Sequence, residues 1–221
     1  MEPIERRLGV ARSARYFLGG DLAADGTPAR DARELWFVLH GYGQLAAPFQ
    51  AEFACVERPG LVLVAPEGLS RYYLERGTGA VGASWMTKEA REDEIADTLR
   101  FLDAVHAEVS AALAGAPRVI ALGFSQGAAA ACRWAALGAA RVDHVVSWAG
   151  GVPPDLDPSL LAAHDLSLVA GTRDAFLDER RLALELERLR DVPHRLLRFE
   201  GGHRLDRDLL RELADGFAGP R

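Results

Sequence analysis

The sequence predicts an α/β protein with a doubly wound, mostly parallel sheet and helices on both faces. Three observations point there. Continuous apolar runs of strand length recur along the chain, the pattern of strands buried on both faces. Amphipathic helical segments separate most of these runs. One strand-to-helix junction, Val119 to Ala131, joins an apolar run, the pentad Gly123-Phe-Ser-Gln-Gly127 and a run of alanines that lets a helix pack closely on a sheet.

In chain order, Arg12 to Gly20 reads as a short opening strand, and Asp25-Gly26 supplies the turn chemistry that returns the chain antiparallel into the core. Leu35-Trp-Phe-Val-Leu39 and Leu61-Val-Leu-Val-Ala65 follow as apolar strands, then Val119 to Leu122, His144 to Trp148, Leu166 to Ala170 and Arg195 to Phe199. A long helix is predicted from about Lys88 to Leu113, with Thr87 as N-cap, acids in the first turn, and Ile95, Leu99, Leu102, Val109 and Leu113 on one face. Phe176 to Arg190 repeats the pattern through Leu182, Leu186 and Leu189, and Leu205 to Phe217 does so through Leu209, Leu213 and Phe217. Ser70 to Gly82 is predicted to be the flexible piece, because Gly77, Gly79 and Gly82 loosen a backbone that also carries Tyr72, Tyr73 and Leu74.

With 49% hydrophobic and 26% charged residues, 221 residues suit one globular domain, expected over 1–221, with a sizeable core. A formal net charge of −6 speaks against a nucleic-acid partner and against electrostatic docking on anionic lipid. Val119 to Ala140 is long and apolar, yet Gly123, Gly127 and Arg133 interrupt it, so no membrane span is expected. The opening Met-Glu-Pro-Ile-Glu-Arg-Arg carries no apolar core of signal-peptide length, and a cytoplasmic location is expected. Cys55 and Cys132 fall in predicted helices without metal-ligand or redox spacing and are expected to be buried free thiols. No cluster of histidines and carboxylates suggests a catalytic metal, and no Gly-rich turn has a phosphate-binding fingerprint, so no metal and no cofactor is expected.

A serine hydroxyl is a poor nucleophile until a base takes its proton, and an imidazole base needs an acid to fix its tautomer. Ser125, between two glycines at a strand-to-helix turn, is the candidate nucleophile. Among the histidines, His40 precedes a glycine at the first central strand, His106 lies within the long helix, His144 and His194 begin strands, and His164 precedes one. Strand starts are at the wrong edge of the sheet. His203 follows the last strand, in Gly201-Gly202-His203, and is the candidate base. The acid should leave a strand between Ser125 and His203, and Val169-Ala-Gly-Thr-Arg-Asp174 places Asp174 just past one. Asp178 and Asp155 are its rivals, and capping of the next helix is the alternative role for Asp174. The amide of Gln126, at a helix N-terminus directly after the nucleophile, is a candidate oxyanion donor.

Gly123-Phe-Ser-Gln-Gly127 resembles the nucleophile elbow of the α/β-hydrolase superfamily. Leu39-His-Gly-Tyr-Gly43, the Ser84-Trp-Met segment running into Glu92-Asp-Glu-Ile95, and Gly201-Gly-His203 resemble its phospholipase/carboxylesterase branch, which includes acyl-protein thioesterases. The resemblance spans most of the chain. It implies the α/β-hydrolase fold, points to the same acid, Asp174, and implies a second oxyanion donor in the amide of Tyr42. It also implies an acyl pocket closed by Trp85 and Met86, although relatives often carry Trp-Phe-Asp where this chain has Trp-Met-Thr. Tyr72, Tyr73, Trp85, Met86, Trp148 and Phe176 are the candidate substrate pocket, with core packing as the alternative for each.

The expected function is that of a serine carboxylesterase, hydrolysing small to medium soluble acyl esters or thioesters through an acyl-enzyme. A dienelactone-hydrolase-like lactonase, a peptidase and an acyltransferase stay open on the same residues, as does a non-catalytic receptor on the same fold. The expected partner is a small-molecule ester or thioester, and a homodimer is left open.

Overall fold

The computed structural model describes residues 3–75, 77 and 79–217. The chain runs through β1 (Tyr16–Gly20), β2 (Glu34–Leu39), α1 (Ala46–Ala51) with a 3₁₀ turn at Glu52–Val56, β3 (Leu61–Pro66), β4 (Ser70–Tyr73) and β5 (Val81–Ser84). It continues through α2 (Arg91–Ala111), β6 (Arg118–Phe124), α3 (Gln126–Leu137), β7 (His144–Trp148), a 3₁₀ turn at Pro158–Leu161, β8 (Asp165–Gly171), α4 (Glu179–Arg188), β9 (His194–Phe199) and α5 (Arg207–Phe217). One seven-stranded sheet has the order β1-β3-β2-β6-β7-β8-β9. β1 pairs antiparallel with β3, and the other pairings in this sheet are parallel.

The apolar runs are unbroken because both faces of the sheet are covered. Every residue of β2 and of β3 is buried. Leu35, Phe37 and Leu39 join Val62, Val64, Leu102, Val105 and Trp134 in the layer under α2 and α3, while Trp36 and Val38 join Phe49, Phe53, Leu210 and Phe217 in the layer under α1 and α5. β3 and β6 leave β2 on opposite sides, so the carboxyl ends of β2 and β6 flank a topological switch point, where open α/β sheets bind ligands. Leu39 is paired with Gly123 there, which brings the His40–Gly43 loop and Ser125 to neighbouring strand ends.

Several boundaries differ from the sequence-based expectation, each for a physical reason. The stretch expected to be flexible forms an antiparallel hairpin, Ser70 opposite Ser84 and Tyr73 opposite Val81, although Arg76 and Thr78 lie outside the described residues. The hairpin is stitched to the loop after β2 by Gly43 N–H to Ala83 O at 2.9 Å and Ala83 N–H to Gln44 O at 3.1 Å. Gly82 permits that approach, since a Cβ there would run into the backbone of Gly43. Thr87 does not cap α2. Its hydroxyl interacts with Glu89, and the helix starts only after Ala90 has turned through φ 45. α4 starts at Glu179 rather than near Phe176 because Asp178 is the cap, its side chain accepting from Arg181 N at 2.8 Å. α1 formed no part of the sequence-based assignment, apart from the helix expected around Cys55, which lies in the 3₁₀ turn. Both cysteines are free, but only Cys132 is buried, which pushes its thiol up to about 12; Cys55, on the outer side of the 3₁₀ turn whose buried residues are Phe53 and Val56, is half-buried. No helix among the described residues is long and apolar enough to cross a membrane.

A Cβ on Gly127 would collide with the carbonyl oxygens of Leu39 and His40, so α3 sits against β2 only because position 127 has no side chain. Gly127→Ala is expected to lower stability by about 1–3 kcal/mol, the usual range for overpacking. A urea midpoint equal to that of the unmodified protein would contradict this packing.

Candidate active site

β6 ends at Phe124, and Ser125 then adopts φ 53, ψ −114, a conformation that non-glycine residues rarely occupy. Three contacts hold it there. The Ser125 amide donates to Trp148 O at 2.8 Å, its carbonyl accepts from Ala128 N at 3.1 Å, and Gly150 approaches so closely that a Cβ would lie 2.5 Å from Ser125 O. The serine is thereby lifted to the tip of the turn at the carboxyl edge of the sheet.

Two backbone amides beside it have no acceptor among the described residues, those of Tyr42 and Gln126. Their neighbours are satisfied: Gly41 N–H donates to Gln44 Oε1 at 2.7 Å and Gly43 N–H to Ala83 O. Gln126 is also the first residue of α3, where the helix dipole adds to the amide's attraction for negative charge. Its carboxamide has a separate task that no sequence pattern signals. Oε1 accepts from Trp85 N at 3.1 Å and Nε2 donates to Met86 O at 2.8 Å, which pins the Ser84–Met86 segment to the start of α3.

His40 lies directly before this loop and is completely buried. Its Nε2 accepts from Gly68 N at 3.0 Å, so the proton sits on Nδ1, which donates to Gly41 O at 2.8 Å. Its ring rests on Trp85 at 4.9 Å, and its carbonyl accepts from Trp85 Nε1 at 2.7 Å. Burial pushes this imidazole below its ordinary range, and the Gly41 carbonyl and the charge of Glu67 oppose the shift without reversing it. His40 is therefore a structural support of the loop.

Asp174 and His203 meet at 2.8 Å through Oδ2 and Nδ1. The Asp174 side chain has no exposed surface, and its other oxygen accepts from Phe176 N at 2.7 Å and Leu177 N at 3.0 Å. Burial alone would raise the carboxyl, but the Leu177 amide, the His203 imidazole and the Phe176 amide outweigh it and hold Asp174 below the usual carboxylate range. An ionised acid can only accept, so Nδ1 of His203 is the donor in this contact. The ring lies between Phe124 at 4.8 Å and Phe176 at 4.6 Å, beside the residue that precedes Ser125. No hydrogen bond joins Ser125 to His203 among the described residues; in unliganded enzymes this contact commonly tightens only with substrate. The rival acids are engaged elsewhere, Asp178 as the cap of α4 and Asp155 between Arg133 at 2.8 Å and Arg91 at 2.5 Å.

The residues expected to form the pocket divide. Trp148 does not line it: the side chain is fully buried under α5, against Phe199 and with Nε1 donating to Arg204 O at 3.0 Å. Trp85 is 2% exposed and, with Met86, borders an apolar void of about 10 Å³. A strand-end tryptophan looks the same in sequence whether it faces solvent or core. The exposed aromatic surface comes instead from Phe176 on His203 and from Tyr42, whose ring lies 5.3 Å from that of Tyr72; Tyr73 points outward. Among the described residues, no group of three or more His, Cys, Asp and Glu side chains is disposed to hold a metal ion.

No protein-family model matches the sequence, and no curated protein matches it. Solved structures do match in shape. Esterase PE8 superposes with a TM-score of 0.64 at 23% identity, over 93% of this chain and 97% of that one. Acyl-protein thioesterase 2 of Zea mays gives 0.67 at 16% identity, over 93% and 98%. A carboxylesterase from Mesorhizobium loti gives 0.66 at 19% identity, over 86% and 91%. Likeness at these identities establishes the fold, which is the α/β-hydrolase fold expected from the resemblance to the phospholipase/carboxylesterase branch.

The buried imidazole of His40 makes stability pH-dependent. A depressed folded pKa means that the unfolded chain binds more protons, so the stabilisation is complete above the unfolded value of about 6.5 and is lost as pH falls through the folded value. His106 and His144 are lowered by burial too and add to the same slope. The urea midpoint should therefore fall from about pH 7.5 to about pH 5, and less so in His40→Gln, whose amide can accept from Gly68 without titrating. A midpoint constant over this range would show that these imidazoles are not held neutral.

Proposed function

We propose that the chain is a serine hydrolase acting on carboxylic esters, with Ser125 as nucleophile, His203 as general base and acid, Asp174 as its orienting carboxylate, and the amides of Tyr42 and Gln126 as the oxyanion hole. The observation that carries this reading is the 2.8 Å contact between His203 Nδ1 and a fully buried Asp174, at the strand edge where Ser125 stands in its φ 53 turn. The fold's solved neighbours, which include esterases and acyl-protein thioesterases, agree with it.

The chemistry follows from the geometry. His203 Nε2 takes the Ser125 proton as Oγ attacks the ester carbonyl carbon, and the carbonyl electron pair moves onto oxygen. That oxyanion is met by the Tyr42 and Gln126 amides, each such donor being worth about 10²–10³ in rate where measured. Collapse expels the alcohol or thiol oxygen or sulfur, which His203 protonates, and leaves the acyl group on Ser125. Water then gives a proton to His203, attacks the acyl carbon and releases the acid while Ser125 recovers its proton. Asp174 does not change its proton. Its paired Phe176 and Leu177 amides keep it ionised and opposite Nδ1 throughout. The void behind Trp85 and Met86 is too small to accept an acyl chain, so the acyl group lies against exposed aromatic surface, supplied by Tyr42 and Phe176, and is short to medium in length.

With p-nitrophenyl acetate or butyrate, Ser125→Ala and His203→Ala should each lower kcat by about 10⁴–10⁶ while far-ultraviolet circular dichroism stays unchanged. Asp174→Asn should lower it by about 10²–10⁴, since the imidazole can then adopt the wrong tautomer. Turnover of Ser125→Ala close to that of the unmodified protein would refute the assignment, and a larger loss in Asp178→Asn than in Asp174→Asn would move the acid.

A further inference from the structure

Beside His203, between the α1 and α5 ends of the sheet, lies an open cavity of about 570 Å³, within the size range of small-molecule sites, about 300–1,000 Å³. Neither Tyr42 nor Tyr72 lines it, and Gln44 of the loop after β2 does. His203 must hand its proton to the departing group, so that group has to lie within reach of the imidazole. A cavity that His203 itself borders is placed for the leaving group rather than for the acyl chain.

Its chemistry is mixed in a particular way. Phe49 and Phe124, with ring centroids 6.1 Å apart, supply apolar surface. Glu52 and Arg207 face each other at 3.5 Å with side chains 51% and 66% exposed, and this is the one side-chain hydrogen bond of either among the described residues. A guanidinium has five N–H donors and a carboxylate about four acceptor positions, so most of their hydrogen-bonding capacity is open. No net charge stands out to select an ion. Arg204 is paired with Asp206 at 3.0 Å and Asp208 with Arg211 at 2.7 Å. An alkyl alcohol would displace water from part of this pair and offer it no hydrogen bond in return. A group with adjacent hydroxyls, each both donor and acceptor, satisfies carboxylate and guanidinium together and lays its C–H face on the phenylalanines.

Resting on the esterase reading above, we propose that this cavity is the leaving-group subsite and that it takes an uncharged, hydroxyl-rich alcohol, which makes the substrate an O-acylated sugar or polyol. The acyl bond broken is the ester C–O, the acyl group passes to Ser125 and the sugar hydroxyl leaves with the proton from His203.

Two measurements on the full chain test this. The first compares kcat/KM for 6-O-acetylglucose with n-hexyl acetate, where a preference of about tenfold or more for the sugar ester is expected. In Glu52→Ala and Arg207→Ala, both surface positions, the ratio of sugar-ester to p-nitrophenyl-acetate kcat/KM should drop about tenfold through KM, the loss expected for one charged hydrogen bond. The second is saturation-transfer NMR with methyl glucoside, whose signal should weaken in both variants. A preference for hexyl acetate, or variants that leave the ratio unaltered, would overturn the proposal while the triad stands. Methyl glucoside bound through Glu52 and Arg207, with no ester of any kind cleaved, would support the subsite and remove the esterase reading instead.

Discussion

A serine cannot stand at φ 53, ψ −114 unless its surroundings leave it nowhere else to go, and the architecture around Ser125 is arranged to that end. β6 delivers the chain in register with β2 and β7, and α3 carries it away at once. The turn between them is clamped by the Trp148 carbonyl, by Gly150 and by contacts that leave no room for a Cβ at 123 or 127. The strain is local, and the packed strands on either side hold it in place.

Everything chemical then depends on what the neighbouring strand ends bring to that point. The loop after β2 arrives with no acceptor for the Tyr42 amide among the described residues, while Gly41 and Gly43 are already bonded and His40 is anchored by Gly68 and Trp85. The loop after β8 turns on Asp174, whose two amide contacts fix the carboxylate before it meets His203. Gln126 has two ends to offer: its amide stands at the helix start with no acceptor among the described residues, and its carboxamide holds Trp85 and Met86. The positive helix end favours negative charge next to Ser125, while the buried carboxylate of Asp174 favours positive charge on the imidazole it holds.

How much of this was visible in the sequence depends on what kind of force is involved. β2, β3 and β7 could be placed to within a residue or so because burial on both faces writes itself as an uninterrupted apolar run. Asp174 and His203 could be singled out because each follows a strand, and the structure places them in contact. What depends on long-range polar contacts was not legible. The start of α2 is set by how Glu94 and Gln126 hold the segment before it, and no residue near Thr87 signals that. The β4–β5 hairpin exists because Gly43 and Gln44 pair with Ala83, forty residues on, where local glycine content suggested a loose loop. Trp148 and Trp85 turned inward because each found a backbone carbonyl for its indole N–H within the core, a partner that sequence spacing does not reveal.

The central claim is that one serine, activated by its surroundings, does the chemistry. The most direct test is reaction with a fluorophosphonate followed by intact-mass and peptide mapping. A single adduct is expected, on Ser125, forming far more slowly in His203→Ala because the nucleophile has lost its base. No adduct under conditions that label a known serine esterase, or an adduct on a different serine such as Ser84 or Ser70, would contradict it.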